Sequence, residues 1–598
     1  MRNTVNSTRL RRLSAALLAL VLALAIPAAR ADELASELGG GLTTQTGGDL
    51  ASDLGGDLSA DTGEDDGLAS ELGGDLTAGA ESGPDTGLAA DLGGGFQGTI
   101  PQEELEAMKA DMVNADLTIG YIDPGYLTLS PVNCSDWDLV SANQLIYESV
   151  VDFDENMKPV PMLADNWTHE GKTWTFNLRS GIQFHNGYEL SAYDVVRSYQ
   201  TLNMAGPENP YYARLQMISS MEASDIYVLT VDAKNSSLLT LYAMTFPVMQ
   251  YETLGDEMPR GTGPYWYIQH DEEGTIRLEA NPLWWKQQPE VKSILLRKYD
   301  VAGDAIEAIR TNEIDMVSTT SPKASLSRRL SGLTSMDYPT LTYEMLIPNL
   351  SESSSILSDL NVRQAVMYAL DRSILASNGY LDMAIQCEVP LVPTSWLYES
   401  QSAIYYYSPE RALQLMQNSG WVDMTGDGTL NKRNGIMLIE PSIRLVTYNE
   451  STNSIRENAA YLIKEYLDAV GFNVRVSVLS KERAREAVRS HDYDLALFGV
   501  NLSEVPDISA ILETKGALNY NRYSNEEMDQ LIARARSATD EATLQKVYSD
   551  IQMTVVRRLP IMGLLFRTGT VLSTRSIGGL NNLRAYDNFN GLEFLKME

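Results

Sequence analysis

The chain has 598 residues, with 80 Asp and Glu against 46 Lys and Arg, a formal net charge of −34 and two cysteines. That length exceeds one ordinary core and predicts at least two packed units. The charge argues against a broad nucleic-acid surface, which needs clustered Lys and Arg, and two cysteines exclude a disulfide-dense scaffold or a Cys-rich metal site.

The charge is unevenly spread. Arg9, Arg11 and Arg12 precede an apolar run from Leu13 to Ala29, and Ala29-Arg30-Ala31 offers a small-x-small cleavage site. This is the order of a secretory signal peptide over residues 1–31. An uncleaved anchor is the alternative, since about 17 apolar residues reach the lower limit for a bilayer span. No cysteine lies beside this site, so a lipoprotein is not expected. Residues 32–98 hold fifteen acidic residues, eighteen glycines and no Lys or Arg, and repeat Leu34-Ala-Ser-Glu-Leu-Gly-Gly with variants starting at Leu50, Leu68 and Leu88. So little apolar area predicts a disordered acidic linker, about 45 Å end to end as a flexible coil. Residues 99–598 retain a net charge of −24.

From Ala115 onward the pattern alternates strands and helices. Thr173–Leu178 alternates polar and apolar residues, and Ile226–Val231 is a compact apolar run; both read as strands. Ser191 caps a helix with Asp194 three residues on. Asn361–Asp371 presents Val362, Ala365, Val366 and Ala369 on one helical face, Ser408-Pro409-Glu410 opens a further helix ending at Gly420, and a helix over Tyr461–Val470 precedes a strand at Val474–Val478. The class is α/β. The chain has no His-Glu-x-x-His, Gly-x-Ser-x-Gly or phosphate-binding loop, and His169, His185, His270 and His491 stand singly, so neither catalysis nor a cofactor is expected. Asp423, Thr425, Asp427 and Asn431 mimic part of a calcium loop, but Asn434 holds the place of the bidentate glutamate; a simple Asp/Gly turn without a metal is expected.

Several segments together resemble family 5 extracellular solute-binding proteins, the oligopeptide, dipeptide and nickel receptors of ABC importers. They are Gln144–Val151, Val160–Trp167, Trp174–Gly187, Gly261-Thr-Gly-Pro-Tyr265, Leu278–Trp285, Glu313-Ile-Asp315, Val362–Arg372 and Tyr493–Leu497, in the family's order. The resemblance implies a periplasmic-binding-protein-like fold of two lobes closing on a solute. The first lobe would comprise 115–342 plus 559–598, with an extra subdomain at 141–260, and the second 343–558. It further implies a monomeric, secreted, periplasmic or cell-surface receptor that delivers a peptide or other small polar solute to permease subunits with cytoplasmic ATPases, with no nucleic-acid partner. A nickel-chelate or oligosaccharide receptor, or a surface sensor or adhesion protein that has lost transport, is the alternative.

In peptide-binding members a Gly-Trp-x-x-Asp stretch follows the Tyr-Asp-Leu-Ala-Leu strand, and its aspartate holds the peptide's α-ammonium. Here the stretch reads Gly499-Val500-Asn501-Leu502-Ser503-Glu504. Aligned without gaps, Val500 replaces the tryptophan and Ser503 the aspartate; a one-residue deletion lets Glu504 stand in. Family position adds Asn133, Cys134, Trp137, Tyr343, Asn349 and Trp396 as cleft candidates. Cys134 and Cys387 fall in different lobes, so two thiols are expected rather than a bridge.

Overall fold

The structure is a computed structural model that describes residues 112–122, 129–134, 137–351, 355–450 and 453–596. The signal segment and the acidic repeat lie outside the described residues.

One large sheet runs through the folded part. Its order is Asn473–Leu479, Ser442–Tyr448, Leu495–Asn501, Thr334–Pro348, Met562–Ser573, Met316–Thr319, Leu117–Ile122, Ser293–Tyr299, Ile276–Ala280 and Tyr265–His270, with Ala384–Gln386 alongside Met562–Ser573. Two long strands are common to both halves. Thr334–Pro339 pairs with Thr568–Ser573, and after a register shift Tyr343–Leu346 pairs with Met562–Phe566. The sheet is therefore two half-sheets joined by an antiparallel pair of crossing strands. Leu117, Ile119 and Leu296 belong to one apolar core, and Leu445, Val446 and Leu497 to another. This is a two-lobed α/β fold. The second-lobe strand Leu495–Asn501 reads Leu-Ala-Leu-Phe because it is covered on both faces and pairs in parallel with Ser442–Tyr448.

The first lobe carries a smaller antiparallel sheet of Ala164–Glu170, Thr173–Leu178, Val228–Ala233 and Ile218–Asp225, with the helix Ala192–Met204 against it. Ser191 N–H and Oγ both donate to Asp194 Oδ2, at 2.9 and 2.7 Å, which fixes the start of that helix. The strand expected from Ile226 begins two residues later. Ile226 and Tyr227 make the hairpin turn, where Asp225 Oδ1 accepts the Ile226 N–H at 2.7 Å. In the second lobe Ser408 Oγ caps Pro409–Asn418, Gly420 closes it at φ 83°, and Leu360–Ala369 buries Val362, Ala365, Val366 and Ala369.

Three signature segments meet at one buried carboxylate. Glu148 is 3% exposed and accepts from Thr262 Oγ1 at 2.9 Å, Trp284 Nε1 at 3.2 Å and Trp285 Nε1 at 2.9 Å, with Lys286 Nζ 3.6 Å away. The loop holding Thr262 must lie flat on Ile146: a Cβ at Gly261 would stand 2.1 Å from the Ile146 carbonyl oxygen. Glycine is required there by close approach rather than by its dihedral freedom.

Candidate functional site: the cleft between the lobes

Each lobe sends loops to the line where the crossing strands change halves. From the first lobe comes the tight turn Asp154–Lys158, in which Asp154 Oδ1 accepts the N–H of Asn156 at 2.8 Å and of Lys158 at 2.9 Å while Met157 adopts φ 58°. The second lobe contributes the stretch from Pro390 to Trp396 and the loop after Leu495–Asn501. In that loop the Leu502 N–H donates to the Leu341 carbonyl at 2.9 Å, extending the pairing with the crossing strand, and Ser503 Oγ accepts the Val505 N–H at 3.2 Å. Ser503 and Asp507 are exposed at the rim of the cleft, whereas Glu504 is buried, at 8% exposure.

These loops enclose a cavity of about 170 Å³ whose charged walls are Asp154, Glu155, Asp337, Glu504 and Arg584. A narrower apolar hollow of about 30 Å³ adjoins it, lined in part by Met157, Tyr242, Leu341 and Val392, and Glu504 borders both. Arg584 is held at the wall by Asp152 at 2.9 Å and Asp587 at 3.0 Å, and burial pushes the Asp587 carboxyl up.

The lobes touch on either side of the cavity. Trp396 Nε1 donates to Tyr242 Oη at 2.9 Å, the Trp396 N–H donates to the Asn156 carbonyl at 2.7 Å, and Ser237 Oγ donates to the Ala535 carbonyl at 2.9 Å. Arg214 Nη2 reaches Glu504 Oε2 at 2.6 Å. Behind the cleft, on the second-lobe side of the crossing strands, lies a second charged group. Glu344 accepts from Arg456 Nη2 and Arg567 Nε, both at 2.6 Å, and Glu450 accepts from the same two arginines at 2.8 Å each. Burial alone would raise the Glu344 carboxyl, but the two guanidinium groups hold it at about 2. Gly499 leaves room for this group, since a Cβ there would stand 2.3 Å from Arg456 Nη2.

Of the residues expected to line the cleft, the structure brings Ser503 and Glu504 to it and sets Trp396 in the seam between the lobes. Tyr343 is wholly buried in the second-lobe core, its ring 4.9 Å from that of Phe566; it follows Leu341 by two residues on the same strand but lies in the core beyond the hollow that Leu341 lines. Asn349 instead ties the end of the crossing strand, its Nδ2 donating to the carbonyls of His491 at 3.0 Å and Tyr493 at 2.8 Å. Val500 packs against the core, and exposed Asn501 accepts from Thr342 Oγ1 at 2.8 Å. Asn133 is exposed on a turn. Trp137 opens the helix Trp137–Asn143, but its side chain lies outside the described residues. The calcium-like loop spends its oxygens on itself. Asp423 accepts from Gly426 N–H at 2.6 Å and Gly428 N–H at 2.9 Å, Asp427 accepts from Thr429 N–H at 2.8 Å, and Asn431 Oδ1 accepts from Met424 N–H at 3.2 Å and from Thr425 Oγ1 at 3.3 Å. Cys134 and Cys387 are buried in separate cores with no disulfide between them. Asp154, Asp337, Arg214 and Arg584 carry no sequence pattern that points to the cleft.

The family model described as bacterial extracellular solute-binding proteins, family 5 Middle, matches residues 158–520. The chain belongs to this family. It is a solute-binding receptor, similar over most of its length to the oligopeptide-binding protein AppA of Bacillus subtilis (23% identity, 78% of this chain and 88% of the relative). The nickel-binding periplasmic protein of Escherichia coli is comparably similar, at 23% identity over 69% of this chain and 81% of the relative. Among solved structures, HbpA2 from Haemophilus parasuis superposes with a TM-score of 0.67 at 19% identity, covering 79% of this chain and 98% of that one. The likeness extends to a nickel ABC transporter protein from Bacillus halodurans, with a TM-score of 0.67, 19% identity, and 77% and 95% coverage. Among the described residues no helix is long and apolar enough to cross a membrane.

Proposed function

We propose that this receptor captures a small peptide or similar polar solute outside the membrane and delivers it to the permease subunits of an ABC importer, closing as a monomer about the crossing strands. The observation that carries this reading is Glu504. It is the one cavity-wall carboxylate buried to within a tenth of full enclosure, and it comes from the loop where the family's ammonium-binding aspartate would lie. A desolvated carboxylate selects a cationic group through a charge-assisted hydrogen bond and disfavours neutral ends. The cavity of about 170 Å³ favours a small solute, since pockets for drug-sized ligands run from ~300 Å³ upward, and longer peptides require the lobes further apart.

Native mass spectrometry of protein purified from its own host, with a thermal-shift panel of dipeptides, tripeptides, nickel chelates and oligosaccharides, tests the reading. A retained or stabilising peptide-like amine supports it. Stabilisation only by nickel chelates or sugars would move the ligand class, and no shift in any class would remove the proposal of a peptide-like solute. N-terminal sequencing of the same sample reports Asp32 if the leader is cleaved and Met1 if it stays as an anchor.

A further inference from the structure

Arg214 meets Glu504 across the cleft, 290 residues apart in sequence, as a pair of nearly inaccessible side chains at 6% and 7% exposure. The guanidinium is also held by residues of its own lobe. Its Nη1 donates to Thr245 Oγ1 at 2.7 Å, that hydroxyl donates in turn to the Tyr242 carbonyl at 2.9 Å, and the Tyr211 ring lies 5.5 Å from its centre. Glu504 in turn borders both the cavity and the apolar hollow. The protein's own arginine thus makes the contact that a solute's cation would make with this carboxylate.

We infer that Arg214 is a built-in occupant of the cation subsite: by neutralising Glu504 it lets the lobes close, and a solute enters that subsite only by bringing a compact cationic group that displaces it. The inference rests on the reading of Glu504 given above and sharpens it. Closing the lobes takes Glu504 out of water, which is tolerated only when a cation and hydrogen bonds satisfy it. Arg214 supplies both from the opposite lobe, so closure does not require the solute's charge. A solute without a cation gains nothing at Glu504, whereas an amine or guanidinium must compete with an intramolecular partner, and its apparent affinity falls by the fraction of molecules in which Arg214 has let go. Arg214 therefore sets both the resting closure and the threshold for cationic solutes.

The full chain, stripped of ligand by unfolding and refolding, is compared as wild type, Arg214→Gln, Glu504→Gln and the double variant, by small-angle scattering and by calorimetric titration with Ala-Ala and N-acetyl-Ala-Ala. The wild type is expected to scatter as a closed particle. Arg214→Gln, with Glu504 left unpaired, should open and then compact again on adding Ala-Ala, and the double variant, with no charge to bury, should close. Arg214→Gln should bind Ala-Ala at least ten-fold more tightly than wild type, with no gain for the acetylated form. A single variant as compact as wild type, an equal gain for both dipeptides, or a double variant as open as Arg214→Gln would overturn the inference. Scattering needs no ligand, so if Ala-Ala binds no variant the closure result still decides the inference, while the solute panel decides the peptide-like ligand class.

Discussion

Replacing Glu344 with Gln tests whether the charged group behind the cleft is held by Coulomb attraction or only by shape. Glu344 is 0% exposed, on the crossing strand opposite Gly499, with guanidinium nitrogens of Arg456 and Arg567 each 2.6 Å from Oε1. Its carboxyl falls from an ordinary 4.5 to about 2. At 1.36 kcal/mol per pH unit this corresponds to about 3 kcal/mol of stability, in line with the ~3–5 kcal/mol lost when one partner of a buried pair is removed. Gln keeps the volume and one acceptor but leaves two arginines to the single carboxylate of Glu450. Urea unfolding followed by tryptophan fluorescence, at intervals from pH 7 to pH 3, measures the difference. A depressed carboxyl contributes fully above its unfolded value and loses that contribution as the pH falls through its folded value. The gap between wild type and variant should therefore be about 3 kcal/mol at pH 7, narrow below about pH 4.5 and close toward pH 2. A gap under about 1 kcal/mol at pH 7, or one unchanged down to pH 3, would refute the electrostatic account.

Other outcomes follow from the same geometry. Gly499→Ala would press a methyl group against Arg456 and Glu344, at 2.3 and 2.8 Å, and should cost about 1–3 kcal/mol in urea unfolding; combined with Glu344→Gln the losses should be less than additive. Glu593 has its carboxyl pushed up to about 7 by burial, so the folded state favours its protonated form. The stability is complete below the unfolded value and lost as pH rises through about 7, so Glu593→Gln should stabilise by at most ~3 kcal/mol at pH 8 and be neutral near pH 4.5. Asp423→Ala removes the acceptor for the Gly426 and Gly428 N–H groups and should lower the melting temperature slightly, while millimolar calcium should leave that of the wild type unchanged; a calcium-induced rise would restore the metal reading of the loop.

The signature residues were legible because their work is local or serves backbone geometry, which one sequence records. Glu148 gathers Thr262, Trp284 and Trp285; Asp315 accepts from the Thr118 N–H at 2.9 Å and from Arg575 Nε at 2.7 Å; Arg363 donates to the carbonyls of Leu357 at 2.7 Å and Arg558 at 2.8 Å. Each of these matches part of the family pattern, and each holds elements of one lobe together without bordering the cavity. The same pattern suggested Asn349 and Tyr343 for the cleft, where the structure uses one to fasten a strand end and the other to fill a core. Tyr343 follows Leu341 by two residues and so shares its strand face, but family position does not say how far along that face the cleft reaches, and Tyr343 lies beyond it in the core.

The cleft follows the opposite logic. Its walls come from loops whose shape rests on single side-chain contacts, such as Asp154 holding its own turn and Ser503 accepting from Val505, and a shift of one residue exchanges an exposed Ser503 for a buried Glu504. Arg214 lies on the four-residue helix Tyr212–Leu215, in a stretch with no chemical motif, and acquires its meaning only when the other lobe delivers a carboxylate to it. The signature residues thus stabilise each lobe from within, whereas selectivity is written across the gap between them. Substitutions at the signature residues should accordingly move the unfolding midpoint and leave ligand preference alone, whereas substitutions at Arg214 and Glu504 should change ligand preference.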